Sequence, residues 1–171
     1  MHNHIRISVA TGRRLGLLLC LAVLLAGCGS AHTGGYAPRR ADPPPTRQEA
    51  AVVNTARTVI GTPYRYGGCD PAQGFDCSGL IWWAYSTHGH DIPRTTREQA
   101  AMGTSVNCNA PRLGDVVVFR IADKGLGLHA GIYSGNGHFV HSPKSGSVVR
   151  EESLDKQYWQ SRLYTCRRIL R

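Results

Sequence analysis

At 171 residues, 42% of them hydrophobic and 18% charged, the chain suits one globular domain plus appendages rather than several domains. Lys and Arg outnumber Asp and Glu by 20 to 11. The basic residues are scattered, however, and their densest cluster is Arg167, Arg168 and Arg171, so the charge reads as a solvated face and not as a nucleic-acid-binding surface.

The chain opens with Arg6, Arg13 and Arg14 ahead of an apolar run from Leu15 to Ala26, too short to span a bilayer and shaped like a secretory signal. Leu25-Ala26-Gly27-Cys28 closes the run with small residues before a cysteine. Residues 29–45 follow with Gly34, Gly35, Pro38 and Pro43-Pro44-Pro45, carry no apolar periodicity, and read as a flexible tether. Residues 46–171 are left to form the folded domain, long enough to build a core without help from disulfides.

Within that domain, Thr46-Arg47-Gln48-Glu49 has capping-box spacing and starts a helix with Ala50, Val53, Ala56, Val59 and Ile60 on one face, ended by Gly61. A glycine-bounded stretch, Gly61 to Gly74, leads to a second helix. There the apolar run Leu80-Ile81-Trp82-Trp83-Ala84-Tyr85 ends at His88-Gly89, which puts Asp76 at the N-cap and Cys77 in the first turn. Unpaired backbone N–H groups and the positive end of the helix dipole favour an anion at that position, and the reactive form of cysteine is the thiolate. Thr95-Thr96-Arg97-Glu98 is a second capping box and opens a short helix towards Gly103.

From Leu113 the period changes from helical to alternating. Val116-Val117-Val118-Phe119 reads as a buried strand, His129 to Tyr133 and His138 to Ser142 as a hairpin, and Val148-Val149-Arg150 and Arg162 to Ile169 as further strands. Helices first and strands afterwards predict an α+β domain, an antiparallel sheet of about five strands with helices on one face and a candidate nucleophile at a helix N-terminus. A two-residue Asn136-Gly137 loop would put His129 and His141 on opposite faces of the hairpin. A three-residue loop, Gly135-Asn136-Gly137, would set His141 opposite Gly131 and make the two histidines diagonal neighbours on one face. The three-residue loop is the preferred reading, with Gly131 removing bulk where the second helix packs on the sheet. A zinc site would require further ligands at ligand spacing, so no metal and no cofactor is expected.

Gly61-Thr62-Pro63-Tyr64-Arg65-Tyr66-Gly67-Gly68, Phe75-Asp76-Cys77-Ser78-Gly79-Leu80, Pro93-Arg94-Thr95, Gly114 to Phe119, His129-Ala130-Gly131-Ile132-Tyr133 and Phe139-Val140-His141-Ser142 occur in an order that resembles the NlpC/P60 cell-wall peptidases, over about residues 48 to 170. The resemblance implies a papain-like hydrolase acting on peptidoglycan stem or cross-link peptides. In it Cys77 is the nucleophile, His129 the base and His141 the orienting third member. Tyr64 assists the oxyanion, and Asp76 and Ser78 meet the substrate peptide, unless Asp76 is only a helix cap. For Arg94 an ion pair is the simpler expectation than contact with a substrate carboxylate.

The opening segment resembles a bacterial lipoprotein signal. Residues 1–27 are then the leader, Cys28 the lipidated anchor, residues 28–45 the tether and residues 46–171 the peptidase domain. With Gly29 and not Asp after the cysteine, the lipoprotein is expected in the outer membrane, facing the periplasm, with peptidoglycan and the membrane as partners and no nucleic acid. A regulatory lipoprotein partner is not identified by the sequence. Cys69, Cys108 and Cys166 go beyond the family pattern; in an oxidising compartment two of them can pair with one left over, while a Cys69–Cys77 bridge is disfavoured because resting catalytic thiols are kept apart. Two rival readings stand beside the peptidase: a CHAP-like amidase or thiol acyltransferase with the same nucleophile, and a catalytically silent wall-binding lipoprotein.

Overall fold

The computed structural model describes residues 42–121 and 127–171. The leader, Cys28 and the tether up to residue 41 lie outside them. Helix α1, Arg47–Thr58, begins where the first capping box predicts: Glu49 N–H donates to Thr46 Oγ1 and the Glu49 carboxylate accepts the Thr46 N–H. Val52, Val53, Ala56 and Val59 are buried, whereas Ile60, expected on the same face, is exposed because the helix has ended before it. Strands β1, Cys69–Asp70, and β2, Gly74–Phe75, form a small hairpin ahead of helix α2, Cys77–Ser86. The second capping box opens a single helical turn, α3, Thr96–Gln99.

A six-stranded antiparallel sheet follows, from β3, Thr104–Val106; β4, Val116–Arg120; β5, Leu128–Gly135; β6, His138–His141; β7, Arg150–Ser153; and β8, Leu163–Arg168, in the order β3-β8-β4-β5-β6-β7. The domain is therefore α+β, and its main sheet has one strand more than expected, besides the unforeseen β1–β2 hairpin. The additional strand, β3, is short and mostly exposed, so it carries no buried alternation for a sequence reading to detect. The strand expected at Val148 starts at Arg150 instead. Val149 exchanges backbone hydrogen bonds with Gly61 and Thr62, which draws residues 148–149 towards the loop after α1.

The sheet is covered on both faces. Val116, Val118, Ala130, Ile132 and Val140 pack with α1 and α2, while Val117, Phe119, Tyr133, Phe139 and Cys166 pack with Leu154 and Trp159. The expectation of helices on one face needs correcting to that extent: a one-turn helix, α4, Gln157–Gln160, brings Trp159 to the opposite side. Burial on both faces explains why Val116 to Phe119 is a continuous apolar run.

The β5–β6 turn joins features of both readings. Asn136 and Gly137 have φ of 51° and 76°, a two-residue turn of the kind that needs left-handed backbone at both positions. An irregularity between Tyr133 and Gly135 adds the extra residue, so Ile132 still faces Val140 and Tyr133 faces Phe139. The bulge restores the register of the three-residue loop, and continuing it sets His141 opposite Gly131. Gly131 serves a different neighbour than expected: a Cβ there would lie 2.6 Å from Phe139 Cδ2 and 3.1 Å from His141 Cβ, on the face away from α2. Asp42, from the end of the expected tether, fastens to this turn, accepting the Asn136 N–H at 2.7 Å and the Tyr133 hydroxyl at 3.1 Å.

Candidate active site

The N-terminus of α2 is held by a polar hub centred on Asp76. Its carboxylate accepts the N–H of Gly79 at 2.6 Å, the N–H of Gly67 at 2.9 Å, the Ser78 hydroxyl at 3.1 Å and both terminal nitrogens of Arg94 at 2.9 and 3.0 Å. Burial alone would raise the Asp76 pKa, but Arg94 first and these other donors outweigh it and hold the carboxyl below its ordinary value. Arg94 also donates to the Ser78 hydroxyl and the Gly68 carbonyl. Sequence reasoning offered Asp76 and Ser78 as contacts for the substrate peptide. The structure commits their polar atoms to the cap and to Arg94, so Asp76 is the helix cap and Arg94 its ion-pair partner.

This hub places Cys77 at the first position of α2, partly accessible. Its sulfur lies 3.5 Å from Thr96 Oγ1 and near the backbone N–H of Ala130, which draws its pKa down against the larger effect of burial. That second contact depends on the strand register: β6 ends at His141, so the rung that would engage Ala130 lies past the end of the strand. The sulfur is thereby brought to the residue next to His129. Tyr64 is also close, since its phenol is pushed up first by burial and then by the nearness of Cys77 and Asp76.

His129 and His141 share one face of the sheet, His129 Nε2 lying 2.7 Å from His141 Nδ1 with both rings buried. Trp159 stacks on His129 with centroids 5.6 Å apart and meets His141 edge-on at 5.1 Å. Behind them, His141 Nε2 lies 3.3 Å from Glu152 Oε1, and Glu152 accepts from Arg150, from Lys156 at 2.8 Å and from the Trp159 indole at 3.0 Å. Burial pushes His129 down to about 3, helped by His141, and pushes His141 down to about 4 against the opposing pull of Glu152. Burial would raise Glu152, but Lys156, Trp159 and Arg150 bring it down to about 2.

Of the residues expected at the site, the structure sets His129 against His141, and Cys77 near Tyr64 and near the backbone of the residue after His129; Thr96, Glu152 and Trp159 join them without having been singled out. Thr96 was assigned only to a capping box. Glu152 had a signal, an acid on the strand beside the second histidine, but the expected strand stopped at Arg150. Among the described residues no group of three or more His, Cys, Asp or Glu side chains is arranged to hold a metal ion. Of the remaining cysteines, Cys108 and Cys166 form a disulfide, while Cys69 and Cys77 are free and do not pair with each other.

The NlpC/P60 family profile matches residues 61–168, a span that holds Tyr64, the Asp76 hub, Cys77 and both histidines. The chain belongs to the NlpC/P60 family. It is 37% identical to the probable endopeptidase NlpC of Escherichia coli over 163 residues, 91% of this chain and 99% of that protein. It is 39% identical to the murein DD-endopeptidase MepH of the same organism over 70% of this chain. The chain spans 45% of MepH and 54% of a probable endopeptidase of Corynebacterium glutamicum, about half the length of these NlpC/P60 relatives. Among solved structures, the NlpC/P60 domain of the peptidoglycan hydrolase SagA superposes with a TM-score of 0.60 at 34% identity, over 70% of this chain and 97% of that one. An NlpC/P60 protein from Bacillus cereus superposes at 0.68 and 29% identity, over 75% and 42%.

Proposed function

We propose that this chain is a cysteine peptidase that hydrolyses an amide bond in peptidoglycan stem or cross-link peptides. The observation that carries the reading is the approach of the Cys77 sulfur to the backbone N–H of Ala130, the residue that follows a His129 whose Nε2 lies 2.7 Å from His141 Nδ1. With Nε2 occupied, Nδ1 is the nitrogen of His129 left to serve the sulfur. The names of the E. coli relatives supply the substrate class.

In the reaction, Cys77 Sγ attacks the amide carbonyl carbon as its proton passes to His129 Nδ1. The Cys77 N–H and the Tyr64 hydroxyl stabilise the oxyanion. The C–N bond breaks, His129 returns the proton to the leaving amine, and a thioester remains on Cys77. Water then adds to the thioester carbonyl, giving a proton to His129; the C–S bond breaks, the acid leaves and the sulfur regains its proton. The balance is one amide and one water converted to one acid and one amine.

Digestion of purified muropeptides by wild type and by Cys77→Ala, with products weighed by mass spectrometry, tests this. Wild type gains one water per cleaved peptide and the variant gives none. Identical product masses from both would refute it, as a silent wall-binding domain requires, and release of the peptide from the glycan would instead fit an amidase.

Residues 1–28 extend the proposal to a lipoprotein whose leader is removed before Cys28 and which is held by lipid at the outer membrane. Metabolic labelling with palmitate checks this: wild type incorporates label and Cys28→Ala does not.

A further inference from the structure

We infer that Glu152 is a positioning residue for the catalytic pair: through His141 it selects the tautomer of His129 that leaves Nδ1 without a proton. This rests on the assignment of His129 as the base. A carboxylate can only accept hydrogen bonds, so facing Glu152 at 3.3 Å requires the proton of His141 to be on Nε2. Nδ1 of His141 is then an acceptor. His129 Nε2, 2.7 Å away, must carry its own proton to donate to it. A neutral imidazole has one N–H, so Nδ1 of His129 is left as the lone pair. Two ring tautomers are thus fixed from one buried acid.

The surroundings of Glu152 keep it in the accepting form. Arg150 and Lys156 flank it with side chains 47% and 58% exposed, and the Trp159 indole N–H faces Oε2 from within the core. The two cations lie on the solvent side, so they neutralise the carboxylate without burying an uncompensated charge of their own. Trp159 couples the elements further, because its ring stacks on His129 while its N–H reaches Glu152. The indole therefore sets the ring plane of the base, and the carboxylate sets its proton.

Glu152→Gln discriminates between a proton-setting acid and a merely structural one. Oε2 takes two donors, Lys156 and the buried Trp159 indole, whereas Oε1 takes besides His141 only the 47% exposed Arg150, which can turn to solvent, so the oxygen of the introduced amide keeps the Oε2 position and its NH2 turns towards His141. An NH2 donates where the carboxylate accepted. His141 must then become the Nδ1–H tautomer, and His129 must place its own proton on Nδ1, where it blocks proton uptake from Cys77.

Nitrogen-15 imidazole shifts at pH 7 are expected to show Nε2–H on both histidines in wild type and in Glu152→Asp, and Nδ1–H on both in Glu152→Gln. In muropeptide cleavage, kcat of Glu152→Gln is expected to fall roughly tenfold or more with KM changed less than about twofold, because only the base is altered. Wild-type His129 carrying its proton on Nδ1 would overturn the inference, whether or not the Gln variant folds. So would a Gln variant with inverted tautomers and unchanged kcat. The shifts are read without turnover, so an inactive wild type would sink the peptidase reading and leave the tautomer result standing.

Discussion

Arg94→Met is the sharpest test of the Asp76 hub, because methionine preserves much of the apolar stem and removes only the guanidinium. Two charge-assisted hydrogen bonds to Asp76 are lost, each worth about 1.5–3 kcal/mol where fully buried. Two considerations reduce the sum. The Arg94 side chain is 34% exposed, which screens the pair, and Asp76 keeps Gly67, Gly79 and Ser78 as donors. The remaining penalty is roughly 2 kcal/mol at neutral pH. It depends on pH with a definite sign. Asp76 titrates below its ordinary value in the folded protein, so its contribution is complete above the unfolded-state pKa of about 4 and disappears as pH falls through the folded pKa. Urea unfolding of wild type and variant at pH 7 and pH 3 measures both features. A difference under about 0.5 kcal/mol at pH 7, or one as large at pH 3 as at pH 7, would show that the Arg94–Asp76 pair does not fix the N-terminus of α2.

Two further outcomes follow from the site and its scaffold. Because burial and His141 bring His129 down to about 3, and His141 itself lies near 4 with Glu152, Arg150 and Lys156 facing it, the acid limb of kcat/KM is expected below about pH 5 and not near 6.5; a limb at about 6–7 would contradict that burial. The Cys108–Cys166 disulfide joins residues 58 apart, so by loop entropy its reduction should lower unfolding free energy by up to about 4 kcal/mol in urea titrations, and a change below about 1 kcal/mol would show that the reduced chain is equally constrained.

What could be read in advance was whatever depends on local pattern. Both capping boxes formed because Thr46 with Glu49, and Thr95 with Glu98, satisfy backbone donors within a single helical turn. The histidine register was also legible, since period-two alternation leaves two choices and the turn residues decide between them, although the molecule reaches the favoured one through a bulge beside a two-residue turn. The misses share a cause. Asp76 carries both a cap signal and a family signal for substrate contact, and only the tertiary position of Arg94, 18 residues away, separates them. Glu152 and Trp159 lie in short elements, and Cys166 in a strand that was legible, but their roles arise from contacts with distant residues, which no local period records.

The electrostatics of Cys77 bear on how the proposed reaction begins. Its position at the start of α2 suggested a standing thiolate, yet burial, with the charge of Asp76 also acting in that direction, raises the thiol, while His129 is pushed down. In the proposed reaction the starting pair is therefore a thiol and a neutral imidazole. That arrangement avoids placing two charges in a site lined by Phe119 and Trp159, where each would incur a desolvation penalty of several kcal/mol. Thr96 and the Ala130 N–H then matter most when negative charge develops on sulfur as its proton leaves, because hydrogen bonds to an anion are roughly twice as strong as those to a neutral acceptor. A protonated Cys77 is also a poor nucleophile towards disulfides, which fits its remaining free in a chain that holds the Cys108–Cys166 disulfide. Activation in the proposed reaction thus belongs to the encounter with a carbonyl carbon, where proton transfer to His129 and bond formation at sulfur proceed together.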